Sequence, residues 1–188
     1  IVSKVKVPAG PPKVKDLPRR RSFTLLSCMH MKLLNGAELA DFIKERQAKQ
    51  VRALRQAHKI IPKLAIIICG DNGPSQKYVA LKRQYGEDIL VDVEVHGVQQ
   101  AEAKGLIGAL NQNPDVHGVI VQLPLTDPSQ TDEIVNAIAP DKDVDSLSDN
   151  SLFDAATPMA IMWLLSGYNI NLQGKNVVVV GQGRLVGA

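Results

Sequence analysis

Cysteine is scarce in this sequence. Only Cys28 and Cys69 occur among 188 residues. Two thiols make no framework of the kind that staples small secreted domains, and Cys69 closes an apolar run, the setting of a buried thiol. The composition therefore suits a reducing compartment. Long apolar runs are missing as well. None reaches the about eighteen residues that a membrane-spanning helix needs. The basic residues near the start are not followed by a sustained apolar core, so a secretory signal is not expected. There is no internal repeat. No Ser-His-Asp order, zinc-type Cys/His spacing or Walker loop is present, and no metal site is expected. His30, His58 and His96 stand in unrelated contexts, and His117 reads as a surface residue.

What remains is an ordinary globular composition, 45% apolar and 22% charged. The length allows one full domain and part of another. The net charge of +3 hides an asymmetry. Residues 1–30 hold seven basic residues against Asp16 alone, a net of +6, which leaves −3 for the rest of the chain. Such a basic, proline-containing segment without apolar periodicity reads as a disordered leader. Nucleic-acid binding and a targeting presequence are alternatives. The favoured expectation is non-native sequence ahead of a start at Met31, because organised sequence begins there.

Beyond Met31, helical and strand patterns alternate. Asn35 can cap a helix in which Leu39, Phe42, Ile43 and Val51 recur toward Leu54. Leu64 to Cys69 predicts a buried strand. Gly70 to Pro74 predicts a turn, and Ser75 a cap for a helix to about Tyr85. Further along, a strand is expected over 88–95, a helix over 99–111, a strand over 118–122 and a helix over 130–139. Thr157 with Pro158 predicts the start of a helix to about Leu165, and Val177 to Val180 a last strand. This order is the signature of an α/β fold with a parallel sheet. The polar, Asp-rich stretch from Ala139 to Thr157 breaks the rhythm, and such loops are often functional.

Four stretches have the residue types for chemistry. In "SQKYVALKRQYG", Tyr78 and Lys82 are four apart and share a helix face. An enclosed lysine can be tuned to trade protons near neutrality, with a phenol to orient it; the bland alternative is a solvent-exposed lysine beside a half-buried tyrosine. In "DVHGVIVQLPL", Gln122 ends a central strand, where open α/β sheets bind ligands. Its amide can both donate and accept, toward a ligand or toward loop backbone, and Pro124 fixes the turn after it. In "APDKDVDSLSDNS", Asp141, Asp143, Asp145 and Asp149 fail the EF-hand pattern. A carboxylate there can pair with an amino-heterocycle edge, or the loop is simply solvated. In "VVVVGQGRLVGA", Gly181, Gly183 and Gly187 follow an apolar run, as in turns whose backbone N–H groups face phosphates.

Together with "NGAELA" and "TPMAI", these stretches resemble the bifunctional methylenetetrahydrofolate dehydrogenase/methenyltetrahydrofolate cyclohydrolase family, the FolD type, from about Lys32 to Ala188. The resemblance implies a three-layer α/β folate-binding catalytic domain with a parallel sheet over residues 31–156. Residues 157–188 would then hold a connecting helix, the first strand and the Gly-rich turn of a Rossmann-type NAD(P) domain, truncated after the turn. It implies that Lys82 is catalytic, that Tyr78 stacks on or orients the folate, and that Gln122 holds the lysine. Asp145 would anchor the pterin, with Asp143 supporting it in substrate binding. Gly181, Gln182, Gly183, Arg184 and Gly187 would begin the cofactor site.

The implied cofactor is NADP, with NAD the alternative, since Gln182 stands where the family often has arginine. Ser146 stands where the family usually has glycine. The implied partners are tetrahydrofolate derivatives and, at full length, a second copy in a homodimer; a cytoplasmic location, no membrane and no nucleic acid are expected. As a fragment, the chain is expected to have little dehydrogenase activity. Competing expectations are another two-domain dehydrogenase, of the shikimate or amino-acid type, and a non-catalytic binding protein.

Overall fold

Asn35 ends the irregular entry to the first helix. Its Oδ1 accepts from the Ala37 backbone N–H at 3.1 Å, supplying one of the acceptors a helix start lacks. The computed structural model describes residues 33–70, 73–181 and 183. The leader of residues 1–30 lies outside them, as do Gln182, Arg184 and Gly187. Residues 43–156 form one compact unit; the described residues before 43 belong to a second, with those from Thr157 onward.

Helix α1 spans Gly36–His58 and stops where Lys59 turns left-handed at φ 56°. Strand β1, Lys63–Cys69, follows. Helix α2, Gly73–Ile89, is longer than expected at both ends. Ser75 is therefore not its cap but a buried residue inside it, and position 74 falls in the first turn, where proline is tolerated. Its C-terminus closes with two bonds, Val91 N–H to Gly86 O at 2.8 Å and Leu90 N–H to Glu87 O at 3.2 Å, around Leu90 at φ 67°. That is a Schellman-type end with leucine in the position glycine usually takes. The strand expected from Asp88 consequently starts later, as β2 over Asp92–Val98.

A 3₁₀ turn at Gln100–Glu102 leads into α3, Ala103–Gln112. Strand β3 is Gly118–Gln122, within the expected bounds. After a second 3₁₀ turn, α4 covers only Thr131–Val135. It stops short of Ala139 because Asn111 takes over the next backbone groups. The Asn111 amide donates to Ala137 O at 2.8 Å and accepts from Ala139 N–H at 2.9 Å.

The sheet is parallel, in the order β2-β1-β3. Ile66 in the middle strand pairs with Val95 on one side and Ile120 on the other. Ile66, Ile120 and Val79 of α2 form a buried cluster, flanked by Leu64, Ile68, Val93, Val95 and Val144. The alternate residues Ala65, Ile67 and Cys69 are buried too. Strand β1 is thus covered on both faces, which is why its sequence is a continuous apolar run and not an alternation. Burial also pushes the Cys69 thiol up from its ordinary pKa.

Helix α5 runs Ala156–Gly167 with Pro158 in its first turn, and from Thr157 onward it belongs to the second unit. The backbone N–H of Asn35 donates to the Tyr168 hydroxyl at 2.9 Å. The last expected strand does not form: Val177 to Val180 have no strand conformation and are exposed. Among the described residues no strand pairs with them, and an apolar run without a partner for its N–H and C=O groups is not a strand.

Candidate active site

The carboxyl ends of β1 and β3 meet at a rim clamped from below. The Thr126 hydroxyl, on the chain leaving β3, donates to Cys69 O at the end of β1 at 3.3 Å. Gly70, the next residue, sits at φ 82°, and a Cβ there would lie 2.6 Å from the same Thr126 oxygen. Only glycine fits this exit. Ser75 Oγ, buried in α2, makes a long contact of 3.5 Å to Leu123 O. The Leu123–Pro124 peptide is cis.

At this rim the structure joins two of the residues singled out by sequence. Lys82 Nζ donates to Gln122 Oε1 at 3.3 Å, across 40 positions of sequence. The amide is oriented by a second bond, Nε2 to Leu123 O at 2.9 Å. An NH₂ group must donate to that carbonyl, so the amide oxygen is the atom left facing the lysine. Both side chains are half-buried. Tyr78, one turn earlier on α2, is 62% exposed.

The Asp-rich segment reaches the same sheet. Val119 N–H donates to Lys142 O at 2.8 Å, and Val119 and Asp143 form a parallel bridge. A Cβ on Gly118 would come within 2.9 Å of the Val144 side chain, so glycine lets this segment lie against β3. After this bridge the segment turns, Ser146 N–H donating to Asp143 O at 3.3 Å. Asp145 is half-buried within that turn.

Asp143 is different: it is fully buried. Its Oδ2 accepts from the Ser148 N–H at 2.8 Å and from the Ser148 hydroxyl at 2.6 Å, and its Oδ1 more weakly from Leu147 N–H at 3.4 Å. Ser146, in place of the glycine expected by resemblance, adopts φ 55°, and its hydroxyl donates to Phe153 O at 2.8 Å. The left-handed backbone explains why glycine suits the position, and the hydroxyl bond ties down the loop that serine occupies.

Two residues not singled out by sequence turn out to hold the loop. Lys142 donates to Leu110 O at 2.8 Å and Asn113 O at 2.7 Å, bonding carbonyls at the C-terminal end of α3. Burial lowers its pKa from the ordinary 10.5, partly countered by Asp141. Asn136 and Asp149 bond reciprocally, amide to carboxylate at 3.0 Å and backbone N–H to amide oxygen at 2.8 Å. Such partners are distant in sequence and leave no periodic signal.

Gly181 and Gly183 lie in the second unit, with Gly181 at φ 134°. Among the described residues, no group of three His, Cys, Asp or Glu is placed to hold a metal ion. No described helix is long and apolar enough to cross a membrane.

A parallel α/β unit with a lysine and an oriented amide at the carboxyl rim is built as a small-molecule site of the open-sheet class. Comparison narrows the class. Residues 34–145 match the family described as tetrahydrofolate dehydrogenase/cyclohydrolase, catalytic domain, and the chain belongs to that family. The bifunctional protein FolD of a Nitratiruptor species is 35% identical over 170 residues, covering 84% of this chain and 60% of the relative. The crystal structure of the bifunctional FolD enzyme from Campylobacter jejuni superposes with a TM-score of 0.79 at 35% identity, over 84% of this chain and 61% of that one. A Trypanosoma brucei FolD structure, solved with NADP cofactor and an inhibitor, gives 0.76 at 28% identity over 83% and 58%. The chain thus spans about 60% of the length of the relatives it matches.

Proposed function

We propose that this chain carries the folate-binding, proton-transferring part of an enzyme that interconverts 5,10-methylene-, 5,10-methenyl- and 10-formyl-tetrahydrofolate. The observation that carries the reading is the 3.3 Å bond from Lys82 to an amide held in one orientation. Hydrolysis of a methenyl cation needs a group that takes a proton from the attacking water and delivers one to the ring nitrogen as the C–N bond opens. An amine at the rim, steadied by an acceptor that cannot itself ionise, suits that task. Exposed Tyr78 offers a ring face to the pterin. Asp145 offers a carboxylate for its N–H and NH₂ edge. Asp143 stands in the same loop.

The oxidation step calls for NADP, which accepts a hydride when bound; NAD is the alternative. Gly181, Gln182, Gly183, Arg184 and Gly187 would hold it. Gly181 fits a phosphate-facing turn, since φ 134° with open space at its Cβ position suits glycine. Alignment of the reacting carbon, more than acid catalysis, is what the protein contributes to that step. A homodimeric full-length assembly and a cytoplasmic location accompany this reading; the buried free thiol of Cys69 is in keeping with a reducing compartment.

The test is hydrolysis of methenyl-tetrahydrofolate, followed by its absorbance, in the wild type and in Lys82→Met. Loss of the proton-transfer group should slow hydrolysis by about a hundredfold or more. Wild-type rates in the variant would remove Lys82 from the mechanism.

A further inference from the structure

Asp143 is the buried carboxylate that the proposed chemistry leaves without a task. It has no exposed surface, so no ligand in the rim touches it. Its hydrogen bonds all go to its own loop. The carboxylate reaches forward to the N–H groups of Leu147 and Ser148 and to the Ser148 hydroxyl. Its carbonyl accepts from Ser146 N–H at 3.3 Å and from the Ser151 hydroxyl at 2.8 Å. Its backbone N–H donates to Ala139 O at 3.0 Å, and it bridges to Val119 of β3.

One residue thus anchors both ends of a short turn. The residue just before it is bonded to the sheet, Lys142 O accepting from Val119 N–H at 2.8 Å, and its side chain holds the residues where the turn returns. Between those ties stand Asp145 and the left-handed Ser146. Without the carboxylate, two buried or half-buried N–H groups lose their acceptor, which favours an opened turn.

We infer that Asp143 is a positioning residue: its buried carboxylate fastens the 145–148 turn to β3 and thereby aims Asp145 at the ligand. This rests on the proposed folate reading for the identity of the ligand, but the fastening itself does not. Asp143 acts through Asp145 and never contacts substrate.

The experiment compares Asp143→Asn, Asp143→Ala, Ser148→Ala, Asp145→Ala and the Asp143→Ala/Asp145→Ala double variant. Amide hydrogen exchange is read at Leu147 and Ser148, and methenyl-tetrahydrofolate affinity and turnover on the same preparations. In Asp143→Ala, exchange at the two amides should speed up about tenfold or more, with β1 and α2 unchanged. Affinity should fall by a similar factor while turnover at saturation stays within about twofold, because Lys82 and Gln122 are untouched. Asp143→Asn, which keeps an acceptor, should recover most of the loss. Ser148→Ala should show a weaker form of the same effect and guards against misfolding of the stronger variant. The double variant should bind no worse than Asp145→Ala alone.

Additive losses in the double variant would mean that Asp143 meets the ligand independently, and would overturn the inference. So would unchanged exchange at Leu147 and Ser148. If the wild type binds no methenyl-tetrahydrofolate, the folate reading fails by itself, and the exchange measurement still decides whether Asp143 fastens the turn.

Discussion

Residues 65–68 and residues 177–180 are both four-residue apolar runs, and locally they are near equivalents. The first is the middle of β1, with Ile66 at 0% exposure between two parallel neighbours. The second is strand-like in composition only: Val178 is 83% exposed, and among the described residues it has no strand beside it. An apolar run supplies the surface to be buried; a neighbouring strand supplies the hydrogen bonds, and both are required. What holds for strands holds for the site. Lys82 and Gln122 sit on regular elements that a sheet brings together, whereas Asp145 depends on a loop that holds itself by side-chain bonds to backbone.

Four substitutions would break or sharpen this contrast. The largest effect is expected at Ile66. Truncation to alanine removes the centre of the cluster with Val79 and Ile120 and should cost about 2–5 kcal/mol. The matching Val178→Ala change should stay within about 0.5 kcal/mol. Denaturant midpoints of the two variants decide it, and equal losses would mean that the valine run is buried after all.

An intermediate effect is expected at Gly118→Ala. The added methyl meets Val144 at 2.9 Å, and overpacking of this kind costs about 1–3 kcal/mol. It should also weaken the folate binding proposed above by displacing the loop, whereas Val178→Ala should not. A stable variant with normal affinity would show that the Asp-rich segment is not seated through Gly118.

The smallest effect is a pH dependence at the border of the sheet. Lys63 on β1 pairs with Glu94 on β2 and lies 3.6 Å from Asp92. The Lys63 bond holds the Glu94 carboxyl below its ordinary 4.5. That contribution is full above 4.5 and is lost as pH falls through the lower folded value. The Glu94 bond in turn raises Lys63 above 10.5, a contribution present below 10.5 and lost as pH climbs through the raised value. Both side chains are only half-buried and remain in reach of water, so the effect is small and fades with salt. Thermal midpoints against pH should lose a little of both shoulders in Glu94→Gln. An identical profile in the variant would show that the pair contributes nothing.

The alternation of helices with apolar runs was legible because it is local. Period, run length and the Asn35 cap need only neighbouring residues, and β3 falls where "GVIVQ" stands. Boundaries that depended on remote partners were not. Helix α2 outruns its expected end because Leu90 accepts a left-handed turn, and α4 stops early because Asn111 bonds the next backbone groups. The residue types proposed for chemistry, Tyr78, Lys82, Gln122 and Asp145, were likewise visible in the sequence, but not the meeting of Lys82 with Gln122.

The sequence by itself determined the α/β alternation and offered the residue types from which a site is proposed, since these are written in residue type and spacing. The tertiary structure alone decided which apolar runs became strands. It also decided that Lys82 meets Gln122 across 40 positions, and that Asp143 turns inward while Asp145 stays half-exposed. Those outcomes depend on which distant groups satisfy a backbone N–H, fill a cavity or accept a proton, and no local pattern encodes the partner.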